Sequence, residues 1–141
     1  MSLLHTNRVA SKVSVDHLAA AIQYDPETGD FHWKQRPVEH FHDGGKTAAQ
    51  RCAMWNGKFA GRPALTCRDP RGYRKGMLNQ KMVWAHRVAL ALHLGEWPDG
   101  EVDHINRDKA DNRLANLRVV THRENRLNCP DCDPKQRREA A

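Results

Sequence analysis

The chain has 141 residues, 39% of them hydrophobic, and carries a net charge of +6 at pH 7 with a mean hydropathy of −0.82. This length predicts one domain, or one domain with a short appendage, and no stretch reaches the ~20 apolar residues that a membrane-spanning helix needs. The first residues lack the apolar run of a secretory signal, and the four cysteines favour reduced thiols or a metal site over a disulfide scaffold. We therefore expect a cytoplasmic protein.

Positive charge is concentrated in the middle of the chain. Between positions 33 and 87 there are twelve Lys or Arg residues against three Asp or Glu residues, a net charge of +9. Such a cluster attracts a polyanion, because binding releases condensed counterions from nucleic acid. A solvated basic surface is the alternative interpretation, and charge alone does not separate the two.

The N-terminal part predicts a short helix, a turn and a strand. Residues 15–22 have the spacing of an amphipathic helix, and Ser14 is a suitable N-cap. Residues 25–29 are typical of a turn, and residues 30–33 form a predicted strand. Residues 34–56 show no regular period and contain glycines, so we expect a loop there.

A hairpin and a longer helix are predicted next. Strand-like segments at 72–78 and 81–84 favour a hairpin with a tight turn between them. Apolar residues then recur at helical spacing over 84–94, and Gly95 is a typical helix stop.

The C-terminal part changes to strand, loop, strand and helix. We predict strands at 101–104 and 118–120 with a polar loop at 106–113 between them. Thr121 and Glu124 have the spacing of a capping box, which predicts a short helix from there. The predicted fold class is α+β.

Four polar side chains in this part suit the hydrolysis of a phosphodiester. A histidine, with an unperturbed pKa of ~6.5, can take a proton from water near neutral pH, and His104 ends the first strand. A hard divalent cation prefers oxygen ligands, which the carboxylate of Asp103 and the amide of Asn125 can supply. Asn116 can donate and accept hydrogen bonds at once, so it is a candidate for holding the loop or the imidazole.

The order and spacing of these residues resemble the HNH endonuclease family. The segments D-H-I-N, D-N-R-x-x-N-L-R and T-x-x-E-N carry the resemblance. The signature positions here are His104, Asn116 and Asn125, separated by twelve and nine residues, and the last is Asn instead of His. The chain therefore resembles the phage-type H-N-N variant, which is related to homing endonucleases. Weaker similarity to these phage proteins lies upstream, at 24–29, 72–73, 85–87 and 95–98.

This resemblance implies an activity and a role for each residue. Such an enzyme hydrolyses DNA phosphodiester bonds and leaves 5′-phosphate and 3′-hydroxyl ends. His104 would be the general base, Asp103 and Asn125 would bind one Mg²⁺ or Mn²⁺ ion, and Asn116 would constrain the loop. The resemblance also implies a ββα-metal unit packed on the predicted helix and a small antiparallel sheet. If the sequence is phage-encoded, the protein would act in the host cytoplasm.

Three regions are predicted along the chain. Residues 1–56 would form an N-terminal helix, strand and loop region, and residues 57–128 a basic sheet plus the nuclease core. Residues 129–141 are charged and contain proline, which predicts a flexible tail.

Basic side chains near the core are candidates for binding DNA, because a guanidinium can donate two hydrogen bonds to one phosphate. The candidates are Arg74, Lys75, Arg87, Arg113 and Arg118.

Several alternatives stay open. His122 lies three residues before Asn125 on nearly the same helix face, so it is a second candidate for the last signature position. Cys129 and Cys132 form half of a zinc site, which would need further thiolates. The isolated Cys52 and Cys67 are the other cysteines of the chain.

The scaffold is also compatible with a protein that binds DNA without cutting it. A homodimer is a further alternative, because cleavage of both strands by a single active site usually needs two copies or two successive nicks.

Overall fold

The computed structural model describes residues 13–121, 123 and 124. Short helices and three small antiparallel sheets alternate along the chain, so the predicted α+β class is confirmed. The helices are α1 (Val15–Ala21), α2 (Ala48–Phe59) and α3 (Ala85–Leu94), with 3₁₀ turns at Val38–His40 and Leu114–Asn116. The strands are β1 (Ile22–Tyr24), β2 (Phe31–Trp33), β3 (Cys67–Arg68), β4 (Arg74–Leu78), β5 (Lys81–Trp84), β6 (Glu101–His104) and β7 (Leu117–Val120).

The N-terminal elements follow the prediction closely. The hydroxyl of Ser14 accepts a hydrogen bond from the backbone N–H of His17 and caps α1. The helix ends one residue earlier than predicted because the backbone of Ile22 is already extended, with φ −130° and ψ 134°. Ile22 thereby begins β1, which pairs antiparallel with β2 and was not predicted.

The predicted loop over 34–56 is wrong in its second half, because α2 occupies Ala48–Phe59. Thr47 and Gln50 form a reciprocal capping box at its start. None of the residues of α2 is fully buried, although Cys52, Trp55 and Phe59 recur at helical spacing along one face. Trp55 of α2 packs against the Trp33 ring of β2, with ring centroids 5.3 Å apart.

The predicted hairpin is confirmed as β4 and β5. Asn79 and Gln80 both have positive φ, 52° and 62°, as a two-residue hairpin turn of the primed type requires. The chain enters α3 directly after β5, and Gly95 ends the helix in the left-handed conformation, as predicted.

One hydrophobic core joins the N-terminal and C-terminal elements. It includes Leu18 of α1, Phe31 of β2, Val88 of α3, and Val102 and Leu117 of the β6–β7 pair. Helices α1 and α3 contact each other, and α3 also packs on β4 and β5. The last strands are therefore fixed to a helix and a small sheet, and the residues at their ends are held in place.

Thr121 and Glu124 form the predicted capping box. The backbone nitrogen of Thr121 lies 2.9 Å from Oε2 of Glu124, and the backbone nitrogen of Glu124 lies 3.1 Å from Oγ1 of Thr121. Arg123 and Glu124 are helical, while the rest of the predicted C-terminal helix and tail lies outside the described residues. Within residues 13–121, 123 and 124, no helix has the length and apolarity to cross a membrane.

Candidate functional site

The end of β6 carries the predicted catalytic pair. Asp103 and His104 are neighbours in a strand, so their side chains point to opposite faces. His104 is only 4% exposed, whereas the side chain of Asp103 is 17% exposed. Across the antiparallel pair, Asp103 faces Arg118 and His104 faces Leu117. The strand therefore holds a buried imidazole beside a carboxylate that solvent can reach.

Asn112 fixes the orientation of His104. Nε2 of His104 lies 2.9 Å from Oδ1 of Asn112, a buried residue of the loop after β6. In the tautomer that donates from Nε2 to this oxygen, Nδ1 keeps its lone pair. The arrangement prepares Nδ1 to accept a proton.

Asn116 holds the loop between β6 and β7. Its Oδ1 accepts from the backbone N–H of Asn106, and its Nδ2 donates to Oδ1 of Asn106 and to the carbonyl of Asp111, each at 2.9 Å. Asn116 is 6% exposed, so these bonds are shielded from water. They close the loop on itself and thereby position its buried residue Asn112.

The turn between β1 and β2 supports the same loop from the N-terminal side. The hydroxyl of Tyr24 donates to the carbonyl of Asn112 at 2.5 Å, and the N–H of Leu114 donates to the carbonyl of Pro26 at 2.9 Å. Gly29, with φ +79°, lies so close that a Cβ there would be 2.6 Å from the nitrogen of Arg113. The N-terminal hairpin is therefore part of the scaffold of the site.

Asp103 is paired with one of the predicted DNA-binding residues. Nε and Nη2 of Arg118 donate to Oδ2 of Asp103 at 3.0 and 2.8 Å. A carboxylate at this partly exposed position is chemically suited to a hard cation. Asn125, the second predicted ligand, and His122, its alternative, lie outside the described residues. Within the described part of the chain, no group of three or more His, Cys, Asp or Glu side chains is arranged to hold a metal.

The other predicted DNA-binding residues differ in whether their charged groups already have partners within the protein. Arg74 donates to the carbonyl of Leu65, and Arg87 donates to the carbonyls of Pro98 and Gly100, so both support turns. Arg113 is exposed and forms a two-pronged pair with Asp111 at 2.8 and 2.7 Å. The Arg113 guanidinium lowers the pKa of the Asp111 carboxyl. Lys75 lies over the ring of Trp84, with Nζ 5.8 Å from its centroid. The role of each in DNA binding stays a prediction.

A small cavity adjoins His104 on the side of α3. Its volume is about 270 Å³, and its walls include Tyr73, Trp84 and His86. The rings of Tyr73 and His86 lie 6.0 and 5.3 Å from the ring of His104. Burial, followed by the charges of His104 and nearby arginines, lowers the pKa of His86 to about 3, so this ring is neutral at pH 7.

The cysteines give no sign of a shared site. Cys52 is partly buried and its thiol donates to the carbonyl of Arg36, while Cys67 is an exposed residue of β3, and both are free. Cys129 and Cys132 lie outside the described residues, so the zinc alternative stays a prediction.

Several residues that the fold brings to the site are not predicted by the sequence. Asn112 lies in the D-N-R segment, four residues before Asn116, and that spacing is the one signal that points to it. Tyr24 and Tyr73 lie in the upstream segments of weaker similarity at 24–29 and 72–73, but the sequence predicts no role for either, because each contacts the site only through the tertiary fold.

Part of the chain matches a known protein family. Residues 83–127 match the family model described as HNH endonuclease. No curated protein and no solved structure matches the chain. The resemblance to HNH endonucleases is therefore confirmed over residues 83–127, whereas the phage-type H-N-N variant stays a prediction. The family match supports the predicted ββα-metal unit, of which the structure describes β6, β7 and the helical residues Arg123 and Glu124. Nucleases of this family act on DNA and generally use a divalent metal ion.

Proposed function

Because residues 83–127 belong to the HNH endonuclease family, we propose that this protein is a metal-dependent endonuclease that hydrolyses DNA phosphodiester bonds. The observation that carries the proposal is the buried His104, oriented by Asn112 and placed directly after the carboxylate of Asp103. A buried histidine with one nitrogen fixed as a donor has the other nitrogen prepared as a general base.

His104 begins the reaction by taking a proton from water. Nδ1 accepts this proton while the water oxygen forms a bond to phosphorus. The bond from phosphorus to the 3′ oxygen then breaks, and the departing oxygen takes a proton from solvent. The products are a 5′-phosphate and a 3′-hydroxyl, and the proton on His104 returns to water.

Asp103 and Asn125 would hold the divalent cation, Mg²⁺ or Mn²⁺. The carboxylate and the amide oxygen are the ligand types that such an ion prefers, and few protein ligands suffice because it keeps several waters. When bound, the cation neutralises the negative charge that develops on the phosphate and the leaving oxygen. Asn116 contributes by holding the loop closed, so that Asn112 keeps its position against His104.

Positive charge brings the DNA to this site. The middle of the chain carries a net +9 between positions 33 and 87, which favours binding of the phosphate backbone without regard to sequence. Arg113 and Arg118 are exposed beside the loop and β6. Each is paired with a carboxylate that a phosphate can replace as partner.

Incubation with supercoiled plasmid tests the proposal. We expect nicked or linear product with Mg²⁺ or Mn²⁺ and none with EDTA. His104→Ala should lower the cleavage rate by about 10²–10⁴-fold and leave DNA binding nearly unchanged, because a general base contributes to the chemical step.

The second candidate function is DNA binding without cleavage, and it predicts no cut product. A protein that only binds DNA would retard DNA in a gel and leave it intact with every divalent metal. A wild-type cleavage rate in His104→Ala would instead refute the assignment of the base.

A further inference from the structure

The turn before β4 lies against the loop that follows β6. Oδ1 of Asp69 accepts hydrogen bonds from the backbone N–H groups of Arg71 and Tyr73, each at 2.9 Å. A Cβ added at Gly72 would lie 4.0 Å from Cβ of Lys109, which belongs to the loop. One carboxylate therefore fixes the turn, and the turn places Arg71 and Tyr73 beside Lys109.

Arg71 and Lys109 both lie over the ring of Tyr73. Cζ of Arg71 and Nζ of Lys109 are each 5.0 Å from the centroid of that ring. A cation over an aromatic face is attracted by the negative potential of the ring, and this attraction offsets part of the repulsion between the two positive groups. The ring of Tyr73 lies 6.0 Å from that of His104. Two like charges are therefore held close together beside the predicted general base.

Both cations keep hydrogen-bond donors for a ligand. Nε and Nη2 of Arg71 each lie 3.1 Å from Oδ2 of Asp69, and the side chain of Arg71 is 66% exposed. The two N–H groups on Nη1 therefore have no partner among the described residues, and neither does the ammonium of Lys109 apart from the ring of Tyr73. The contacts with Asp69 and Tyr73 fix these side chains in advance, which reduces the side-chain entropy lost when a ligand binds.

The position of these cations suits a phosphate beside the one that is cut. Successive phosphates of one DNA strand lie ~3.4 Å apart along the helix axis. A strand whose scissile phosphate is at His104 therefore carries its neighbouring phosphate past the ring of Tyr73. There a guanidinium and an ammonium offer charge-assisted hydrogen bonds to the same group. The carboxylate of Asp69 offsets one of the two positive charges, and Lys109 supplies the excess.

We propose that Arg71 and Lys109, held on the ring of Tyr73, together bind the DNA phosphate next to the bond that is cut. This inference rests on the proposed nuclease function and adds a phosphate contact by two residues that are not among the DNA-binding residues predicted from the sequence. The contact fixes the strand on one side of the cut, so that the scissile bond stays within reach of His104.

The experiment combines neutral phosphates with neutral side chains. The cut site is first mapped in a defined duplex with wild-type protein. A single uncharged methylphosphonate is then introduced at each phosphate that flanks the cut, and kcat and KM are measured with Mg²⁺ at one ionic strength. The proteins compared are the wild type, Arg71→Gln, Lys109→Gln and the double variant. Lys46→Gln is the matched control, because its exposed ammonium lies beside Met54 of α2.

The expected result is coupling at one phosphate next to the cut. There the methylphosphonate raises the wild-type KM by about tenfold, as loss of a charge-assisted hydrogen bond does. The double variant raises KM on unmodified DNA by about tenfold or more, and the same methylphosphonate then adds less than about a twofold further loss. Each single variant falls between these limits. The kcat values change little, because the contact is present before and during the chemical step. Lys46→Gln keeps the full wild-type sensitivity.

Other results overturn the inference. Equal sensitivity to every methylphosphonate in the wild type and the double variant would show that these cations contact no phosphate beside the cut. Coupling confined to phosphates far from the cut would refute the proposed position as well. Cleavage without coupling refutes only this inference, whereas a wild-type protein that cuts no DNA refutes the proposed function too.

Discussion

His104 and Asn112 form a buried hydrogen bond of 2.9 Å between Nε2 and Oδ1, and Asn112 is only 1% exposed. A neutral amide in this place holds the imidazole by a hydrogen bond without adding charge to the site. The bond joins the end of β6 to the loop that Asn116 closes. The chemistry of the site therefore depends on the loop as much as on the strand.

Replacing Asn112 should affect turnover more than substrate binding. Asn112→Ala removes the acceptor for Nε2 and leaves His104 free to rotate, so we expect kcat to fall by about 10–100-fold with KM nearly unchanged. Asn112→Asp restores an acceptor but adds a negative charge, which favours the imidazolium. The acidic limb of the pH–rate profile should therefore move to higher pH. A profile of Asn112→Asp identical to that of the wild type would contradict the orienting role.

The pair between Arg118 and Asp103 predicts an effect on cation binding. Arg118→Gln frees the Asp103 carboxylate, so Mn²⁺ should bind up to about fivefold more tightly, as expected for loss of a partly exposed ion pair. The same change removes one phosphate contact and should reduce the salt dependence of DNA binding by about one unit of slope. Titration calorimetry with Mn²⁺ and binding at several salt concentrations measure the two effects. Asp103→Asn is the control, and it should weaken Mn²⁺ binding.

Gly29 links the N-terminal hairpin to the site. Gly29→Ala places a Cβ 2.6 Å from the nitrogen of Arg113, in addition to the strain of φ +79°. Gly61→Ala is a matched control, because Gly61 has φ +84° but open space around its added Cβ. Both should lose about 1–3 kcal/mol from backbone strain. Only Gly29→Ala should also lower kcat, since it displaces the backbone next to Asn112. Equal kcat values in the two variants would show that the N-terminal hairpin does not influence catalysis at the site.

Local patterns were sufficient to predict most of the elements near the site. Ser14, Gly95 and the Thr121–Glu124 pair are capping residues whose effect acts within one turn, so their positions could be predicted from neighbours alone. The prediction of a loop where α2 lies was wrong although local signals were present. The Thr47–Gln50 capping box and the helical spacing of Cys52, Trp55 and Phe59 mark this helix. None of its residues is completely buried, and Trp55 packs on Trp33, which belongs to a different element.

The candidate site could be predicted only in part, because some of its contacts join residues that are distant in the sequence. Spacing predicted the pair at the end of β6 and Asn116, because these positions belong to one continuous segment. The contacts of Tyr24 and Gly29 with the loop span more than eighty residues of sequence. No local sequence pattern predicts a contact between residues so far apart in the chain. The cavity beside His104 arises in the same way, from the segment before β4, the end of β5, the start of α3 and β6 together.

The stacked pair His17 and His40 is expected to make the fold less stable in acid. Their rings stack with centroids 3.5 Å apart, and the buried Arg36 donates to Nδ1 of His40 at 3.2 Å. Burial, together with the charges of His17 and Arg36, lowers the pKa of His40 to about 4, and burial and Arg36 also lower the pKa of His17. The unfolded chain therefore binds more protons than the folded chain between pH ~6.5 and ~4. Stability must fall as the pH is lowered through this window.

The loss is measurable as a change in Tm between pH 7.5 and pH 5. Because both rings are partly exposed, solvent screening limits the effect to about 1 kcal/mol, or about 4 °C. His40→Gln removes one titrating ring, so its Tm should fall less steeply with acidification than that of the wild type. His93→Gln, at an exposed position of α3, should keep the wild-type slope. If His40→Gln and the wild type lose the same number of degrees, protonation of the stacked pair does not set the acid stability.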